Sequence, residues 1–343
     1  MSFRYSKMAI DQVPKAMRAL VHNQGLQTLK LTDSWPVPVP SQREHLLRVN
    51  SFAVTNGELL WPRPSELNES HPGVEMAGEV VTAPPESRFP AGSKVYMRTT
   101  FPNPGSAREY SIGLENEMAR RPDNIEAAEA ACVPVSGLTA WQALFVHAGC
   151  SPQFDRSKHA SPKDSKRVLI NGAAGGVGLW MTQLARAAGL WVVGTCNTRN
   201  AGRVRELGAS EIIDYTQTSI SEWAQTNPQC KVDLVLDCVG GDSLAQAWHA
   251  VREHGLVLSI APPKDMVWRF VLDRPEGISD TIEGKFFIME PNSDHLQQIT
   301  GLIEAGQARP VVDSVFKFED YQKAFDRVGS GRTTGKVVVQ IRE

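Results

Sequence analysis

The sequence predicts an α/β protein in two parts: a doubly wound parallel sheet preceded by a β-rich half. Three observations carry this expectation. From Arg167 onward, short apolar runs alternate with stretches of helical periodicity, the pattern of a parallel sheet with helices on both faces. Between Met17 and Ile112 the chain gives many short strands and few helices, the composition of a partly open barrel or coiled sheet. A length of 343 residues exceeds what one ordinary core accommodates.

The elements follow in order. Residues 1–16 read as a flexible leader. Met17–Val21 is a strand, and the alternating Leu26–Leu31 pairs with it as a hairpin. Trp35–Pro40 carries three prolines, which lack ladder donors, so it cannot be a central strand. His45–Val54, Gly73–Val81 and Gly92–Met97 are further strands, and Gly105–Ile112 carries the chain on. Helical character begins at Ile125–Ala131 and continues through Cys132–Phe145. Cys150–Lys166 is polar and patternless, a loop. Strands then fall at Arg167–Ile170, Leu190–Thr195, Glu211–Asp214, Val232–Asp237 and Gly255–Ile260. Helices fall between them at Leu179–Gly189, Ser219–Gln225 and Leu244–Val251. From about Thr281 the chain is expected to leave the sheet, with helices at His295–Glu304 and Tyr321–Gly329 and a last strand at Lys336–Ile341. The domain boundaries are therefore set at 17–138, 139–280 and 281–343.

Composition narrows the function classes. The 36 basic and 38 acidic residues are nearly balanced, with no long run of either sign, which argues against nucleic acid or an anionic membrane surface as partner. Five scattered cysteines without a C-x-x-C fit a reducing compartment, taken as the cytoplasm. The first twenty residues carry charges throughout and lack an apolar core, so no signal peptide is expected. No apolar run approaches the ~18 residues that span a membrane. No G-x-S-x-G elbow supports a hydrolase.

The stretch with the most chemistry is Arg167–Gly189. A buried-type strand runs into Asn171-Gly172-Ala173-Ala174-Gly175-Gly176-Val177-Gly178 and then into an amphipathic helix. Strand, small-residue turn and helix are the context of a dinucleotide fingerprint. Ala173 is expected to make the tight turn, Gly175 to admit a pyrophosphate against bare backbone, and Gly178 to let helix and strand pack closely. Ala174, Gly176 and Val177 complete the loop, whose helix N-terminus favours anions. A second strand follows, Leu190–Thr195, but no carboxylate ends it. The chain reads Cys196-Asn197-Thr198-Arg199 instead, and Arg199 can pair with a ribose 2′-phosphate in fork geometry. NADP(H) is thus favoured over NAD(H).

Five stretches, in order, carry a resemblance: Val54-Thr55-Asn56-Gly57-Glu58, Pro72-Gly73-Val74-Glu75-Met76-Ala77-Gly78, Pro134–Trp141, Ala173–Gly178, and Gly331–Lys336. The chain resembles the medium-chain dehydrogenase/reductase superfamily, and within it the zinc-independent quinone oxidoreductase and enoyl reductase branch. The fold this implies is a Rossmann sheet joined to a GroES-like barrel. Gly57-Glu58-Leu59-Leu60-Trp61 is also similar to fungal reductases, some of secondary metabolism. Metal-dependent members hold zinc through a cysteine and a histidine; here Thr55 and Val74 stand at those places, and a hydroxyl with a valine cannot assemble an N/S zinc site. The resemblance therefore implies no metal, with His71 read as a loop histidine.

By the same resemblance, Asn56 and Thr139 are the expected catalytic residues, Thr139 at the nicotinamide or its phosphates and Asn56 near the acceptor. Tyr215 joins Asn197, Thr198 and Arg199 at the adenosine phosphate. Cys238, Val239, Gly240, Ile260 and Ala261 end two strands at the carboxyl edge, where ligands lie. Phe287 and Lys336 come from the return segment to close over the cofactor. No proton donor is assigned, and Glu58 is read as capping a local turn. An apolar acceptor pocket is expected from Trp61–Ser70 and Pro262–Gly277, with Pro62, Pro64, Trp268 and Phe270. The implied activity is metal-free hydride transfer from NADPH to an activated carbon–carbon double bond or a quinone, by a homodimer joined along the sheet edge. Two alternatives stand beside it: a trans-acting enoyl reductase working on polyketide acyl thioesters, and a non-catalytic NADPH-binding protein.

Overall fold

The computed structural model describes residues 13–61, 68–100, 105–154, 165–261 and 270–342. Most of the expected leader, and Pro62, Pro64 and Trp268 of the expected acceptor pocket, lie outside the described residues. The chain divides into two compact units, Met1–Leu138 with Glu290–Glu343, and Thr139–Met289.

The first unit opens with β1 (Ala16–Asn23), β2 (Thr28–Pro36), β3 (Glu44–Val54), the short β4 (Glu69–Ser70), β5 (Glu75–Thr82), β6 (Lys94–Arg98), β7 (Tyr110–Leu114) and β8 (Met118–Arg120). Two helices follow, α1 (Ala127–Ala130) and α2 (Pro134–Trp141), the latter reaching into the second unit. β2 ends at Trp35-Pro36 on the edge of a three-stranded sheet ordered β2-β1-β4, the one place where a donorless proline fits a ladder.

The second unit is the parallel sheet. Its strands are β9 (Arg167–Asn171), β10 (Trp191–Cys196), β11 (Glu211–Asp214), β12 (Val232–Asp237), β13 (Val251–Ser259) and β14 (Glu283–Phe286), in the order β11-β10-β9-β12-β13-β14. All five pairings are parallel. The intervening helices are α3 (Gly176–Ala187), α4 (Thr198–Glu206), α5 (Ile220–Thr226) and α6 (Gly241–Ala247). Ser219 and Glu222 cap α5 reciprocally, and the Asn197 side chain caps α4 by accepting from Asn200 N–H. β9 is buried along its whole length, as a strand covered by helices on both faces must be. One expectation is corrected here. The chain stays in the sheet past Thr281, because β14 pairs with β13 through Leu256↔Glu283 to Ser259↔Phe286. Glu283 and Lys285 are exposed while Gly284 is half-buried and Phe286 buried, an alternation only four residues long with no apolar run to mark it in the sequence.

The return to the first unit supplies α7 (Ser293–Glu304), β15 (Val312–Lys317), α8 (Tyr321–Gly329) and β16 (Lys336–Gln340). The main sheet of that unit is ordered β15-β16-β3-β5-β6-β8, with β7 also on β3. Its interior is one apolar cluster that includes Leu47, Phe52, Met76, Val95, Met97, Phe318 and Val339. β3 lies at the centre, and its partner on one side, β16, comes from the far end of the chain.

Candidate functional site

In the second unit, β9 ends in the small-residue turn. The left-handed position is Gly172, at φ +84°, not Ala173. A Cβ disfavours that left-handed backbone, and one on residue 172 would lie 2.9 Å from Val239 Cγ2, so glycine takes the position. Ala173 is fully buried, and its N–H donates to Thr195 O at 2.9 Å. Gly178 acts as expected: a Cβ on it would lie 2.2 Å from Gly172 O and 2.7 Å from Ala173 Cα, so only glycine lets α3 start this close to the turn. Gly175 differs. A Cβ there would meet only Gly172 O at 3.4 Å, and the residue is exposed at the N-cap of α3. Packing therefore does not demand glycine at 175. A bare-backbone cradle at the positive end of a twelve-residue helix fits a pyrophosphate.

Behind the turn lies a network the motif reading misses. Asp237, fully buried at the end of β12, accepts from Asn171 Nδ2 at 2.7 Å, Ser259 Oγ at 2.6 Å, Gly240 N–H at 3.0 Å and Val239 N–H at 3.2 Å. Asn171 Oδ1 in turn accepts from Thr195 Oγ1 and Ser243 Oγ, both at 3.0 Å, and Gly172 N–H donates to Thr195 Oγ1 at 2.9 Å. The carboxyl ends of β9, β10, β12 and β13 are thus laced together by neutral donors. The sequence does carry the signal: each of these runs closes on one small polar residue, in Leu-Ile-Asn171, Val-Gly-Thr195, Val-Leu-Asp237 and Val-Leu-Ser259.

At the far edge of the same unit, Asn197, Thr198 and Arg199 open α4, with Thr198 and Arg199 exposed. Tyr215 is exposed beside them, its N–H donating to Cys196 O at 3.2 Å. The expectation of an edge without a carboxylate is corrected. Parallel pairing sets Asp214 opposite Cys196, and its carboxylate accepts from Thr198 Oγ1 at 2.5 Å. Hydrogen bonds from the Thr198 and Thr216 hydroxyls hold Asp214 below the usual carboxylate range. This carboxylate arrives on the neighbouring strand, so reading the end of β10 alone cannot find it. Val239 is exposed, Gly240 has φ +75°, and Ile260 N–H donates to Asp237 O at 3.0 Å. Ala261 N–H donates to Ser259 Oγ at 3.1 Å. Burial pushes the Cys238 thiol up, and its sulfur lies 3.8 Å from Met181 Sδ. Thr139 is buried on α2, and Phe287 is buried with its ring 4.3 Å from that of His147.

In the first unit, the chemistry gathers where β3 ends. The register Val337↔Val54 puts Lys336 opposite Thr55, and Ala53↔Glu75 brings Glu75 to the other side of β3. Lys336 Nζ lies 2.7 Å from Glu75 Oε1 and donates to Thr55 Oγ1 at 3.1 Å. Glu75 Oε2 accepts from Val135 N–H at 2.8 Å, at the start of α2. Glu75 is fully buried and Lys336 is 9% exposed, so the pair is withdrawn from water. Glu58 completes the group, accepting Thr55 N–H at 3.0 Å and Gly73 N–H at 2.8 Å. It does cap its local turn, and it also ties that turn to the strand entry at Gly73. Burial raises the Glu58 carboxyl above its ordinary range, against the pull of those two N–H groups. Asn56 stands exposed on the turn, one residue beyond this cluster. His71 Nδ1 bonds Leu20 O at 2.7 Å and its ring meets Trp35 edge-on, a loop histidine in a structural role.

The donor set at the resemblance's zinc places is a threonine hydroxyl, a valine and, within 3.1 Å of that hydroxyl, an ammonium. A cation in that position repels a second cation, and these groups do not fit Zn²⁺. Among the described residues no three His, Cys, Asp or Glu side chains gather to hold a metal ion. Nor is any described helix long and apolar enough to cross a membrane.

Comparison with known proteins gives a consistent picture. Residues 207–339 match the family model described as zinc-binding dehydrogenase. The chain is 40% identical over 341 residues to a protein of Arthroderma benhamiae named "Probable zinc-binding oxidoreductase, mitochondrial", covering 97% of this chain and 99% of the other. It is 31% identical to the trans-enoyl reductase pgmF of Aspergillus terreus, over 96% of this chain and 98% of that one. It is 28% identical to the chloroplast envelope quinone oxidoreductase homolog of Arabidopsis thaliana, over 95% and 99% of the two chains. Among solved structures, the quinone oxidoreductase from Coxiella burnetii superposes with a TM-score of 0.77 at 22% identity, covering 96% of this chain and all of the other, which shows the shared fold. Relatives named for mitochondria and chloroplasts give the cytoplasmic expectation no support.

Proposed function

Because the chain belongs to the medium-chain dehydrogenase/reductase superfamily, in its quinone oxidoreductase and enoyl reductase branch, and is an oxidoreductase using a nicotinamide cofactor, we propose that it is an NADPH-dependent reductase of activated carbon–carbon double bonds or quinones that works without a metal. The observation that carries this reading is the Lys336 ammonium bonded to the Thr55 hydroxyl where metal-dependent relatives keep a zinc ligand. When bound, the nicotinamide supplies a hydride to an electrophilic carbon or a quinone. The chain's own work is to hold and orient. Gly175 and the first N–H groups of α3 receive the pyrophosphate, and the Asp237 network fixes the strand ends behind them. Arg199, exposed at the start of α4, grips the 2′-phosphate in this reading, while the Asp214 carboxylate on the same edge disfavours that anion. Reduction of an enone or quinone needs orientation and a donor for the oxygen that becomes negative, not a Lewis acid.

Absorbance at 340 nm with panels of enones and quinones tests this reading. NADPH oxidation with at least one acceptor, insensitive to chelators, is expected. NADPH binding with no oxidation in any panel overturns the reading in favour of a non-catalytic binding protein, and stoichiometric zinc required for turnover overturns the metal-free part. Cofactor choice is tested with Arg199→Ala, which should weaken NADPH at least tenfold and leave NADH unchanged. A second reading, reduction of carrier-bound or free acyl thioesters, is favoured by the likeness to the Aspergillus trans-enoyl reductase; a kcat/KM higher for enoyl thioesters than for free enones selects it. The proposed dimer would use the β14 end of the sheet, where residues 270–272 pair with β14 and Val271 is exposed.

A further inference from the structure

We propose that a cleft at the amino end of the parallel sheet binds a small phosphate ester, and that Arg167, Lys231 and His249 grip its phosphate. The site lies wholly within the second unit, at the opposite end of the strands from the small-residue turn, and it does not rest on the reductase reading above. The cleft has a volume of about 540 Å³, enough for a small organic molecule. Its walls include the first residues of three neighbouring strands: Arg167 on β9, Asp233 on β12 and residues 251–253 on β13.

Three observations point to a ligand whose head carries acceptors alone. First, the carboxylates of the lining are engaged while donors are left over. Asp233 Oδ2 accepts from Arg167 N–H at 2.7 Å, and its other oxygen pairs with Arg252. Glu253 Oε2 accepts from Ser279 Oγ at 2.7 Å and from Thr281 Oγ1. The half-buried Lys231 ammonium and the exposed His249 ring have no hydrogen-bond or ion-pair partner among the described residues. Second, Arg167 is buried and fixed. Its Nε donates to Cys230 O and its Nη2 to Glu211 Oε2, both at 3.0 Å, which leaves Nη1 without an acceptor among the described residues. A planar guanidinium held on two sides presents its third nitrogen in a set direction. Third, the β13 wall is shaped at a cost. Between Val232↔Val251 and Leu234↔Leu256, β12 advances two residues and β13 advances five. The extra residues leave the ladder, and His254 takes φ +59°, which a Cβ disfavours. The bonds from Ser279 and Thr281 to Glu253 hold this bulge out, and His254 N–H adds a bond to Thr281 Oγ1 at 3.3 Å. A strained backbone kept in place by dedicated bonds marks a built wall.

A phosphate ester matches this inventory. Its head carries nearly two negative charges at neutral pH and offers only acceptors to the donors of the lining. Lys231 supplies a point charge, and Arg167 and His249 supply directional N–H groups. The buried Trp248 and Ile282 give the organic part of the ester an apolar surface.

The test is titration calorimetry of the full chain with phenyl phosphate, inorganic phosphate and phenol. The start of α3 also attracts phosphate, so the variants decide which site is read. Wild type should bind phenyl phosphate saturably, more tightly than inorganic phosphate and far more tightly than phenol. Lys231→Met with His249→Gln should weaken phenyl phosphate by about tenfold or more, the size of lost charged donors, while thermal stability and NADPH affinity stay those of the wild type. Lys231→Arg, which keeps the charge, should stay within about threefold of wild type. Gly175→Ala, at the other end of the sheet, should leave phenyl phosphate binding in place. Wild-type affinity in the double variant, loss of binding in Gly175→Ala, or no saturable binding below about 10 mM each overturns the proposal. Inorganic phosphate bound as tightly as the ester overturns the assignment of an ester, and phenol bound as tightly overturns the role of the cations. Failure of the chain to oxidise NADPH with any acceptor overturns the reductase reading and leaves this site standing.

Discussion

Each unit of this chain buries a carboxylate at the edge where its chemistry gathers, and the two are stabilised in opposite ways. Glu75 in the first unit is matched by a cation, Lys336, and one backbone N–H. Asp237 in the second is matched by neutral donors alone: an amide, a hydroxyl and two backbone N–H groups. A charge pair is strong in a low-dielectric interior but fails as soon as one member is removed. A set of neutral donors is distributed, so losing one weakens it by a fraction. The first arrangement fixes one atom, Lys336 Nζ, against one hydroxyl. The second fixes four strand ends at once, directly behind the small-residue turn.

The largest effect should come from splitting the charge pair. Lys336→Met leaves Glu75 buried without its cation and should cost about 3–5 kcal/mol in denaturant unfolding of the first unit. Adding Glu75→Gln should return most of that loss; a double variant as unstable as the single would mean that the two residues do not form the pair described. Asp237→Ala comes next, with a cost of about 2–4 kcal/mol, because the amide, hydroxyl and N–H donors all lose their acceptor. Asp237→Asn should cost less, and a distributed network predicts this graded response where the ion pair gives an abrupt one.

A third prediction separates packing from ligand contact in the turn that the Asp237 network backs. Gly178→Ala forces a Cβ onto Gly172 O and should destabilise the second unit by about 1–3 kcal/mol. Gly175→Ala has room, so thermal stability should stay within about 0.5 kcal/mol while NADPH affinity falls. Equal losses of stability in both variants would remove the basis for treating Gly175 as a ligand contact.

The smallest expected effect is the pH dependence of the charged cluster. Burial raises the Glu58 carboxyl, so the native state binds its proton more tightly than the unfolded chain does. Its contribution is therefore fully present below the ordinary carboxylate range and is lost as pH rises through the raised value. Glu58→Gln should remove this slope, so that the stability gap between wild type and variant narrows from pH 4 upward; unfolding curves at several pH values decide it.

Much of this was legible in the sequence, and the exceptions have common causes. The strand–turn–helix at Arg167–Gly189 is local, and its periodicity and small residues leave few alternatives. The Asp214 carboxylate was not legible at the α4 edge because parallel pairing brings it from another strand. The Lys336–Thr55 bond joins residues 281 positions apart, and neither residue has a neighbour that hints at the other. β14 was missed because an edge strand with one face in water needs no apolar run. The motif reading gave the tight turn to Ala173 and did not foresee that its left-handed residue is Gly172, which chirality favours there.

The position of β16 in the main sheet also fixes an order of events during synthesis. The second unit is encoded without interruption between Thr139 and Met289 and can close its sheet while later residues are still being added. The first unit cannot, since residues 51–54 of β3, beyond the stretch that β7 pairs, lack a hydrogen-bonded neighbour on one side until residues 336–340 have left the ribosome. During that interval Glu75 lacks Lys336 and part of the strand edge is open to other chains, so a chaperone that shields β3 should matter more for the yield of this protein than any that acts on the second unit.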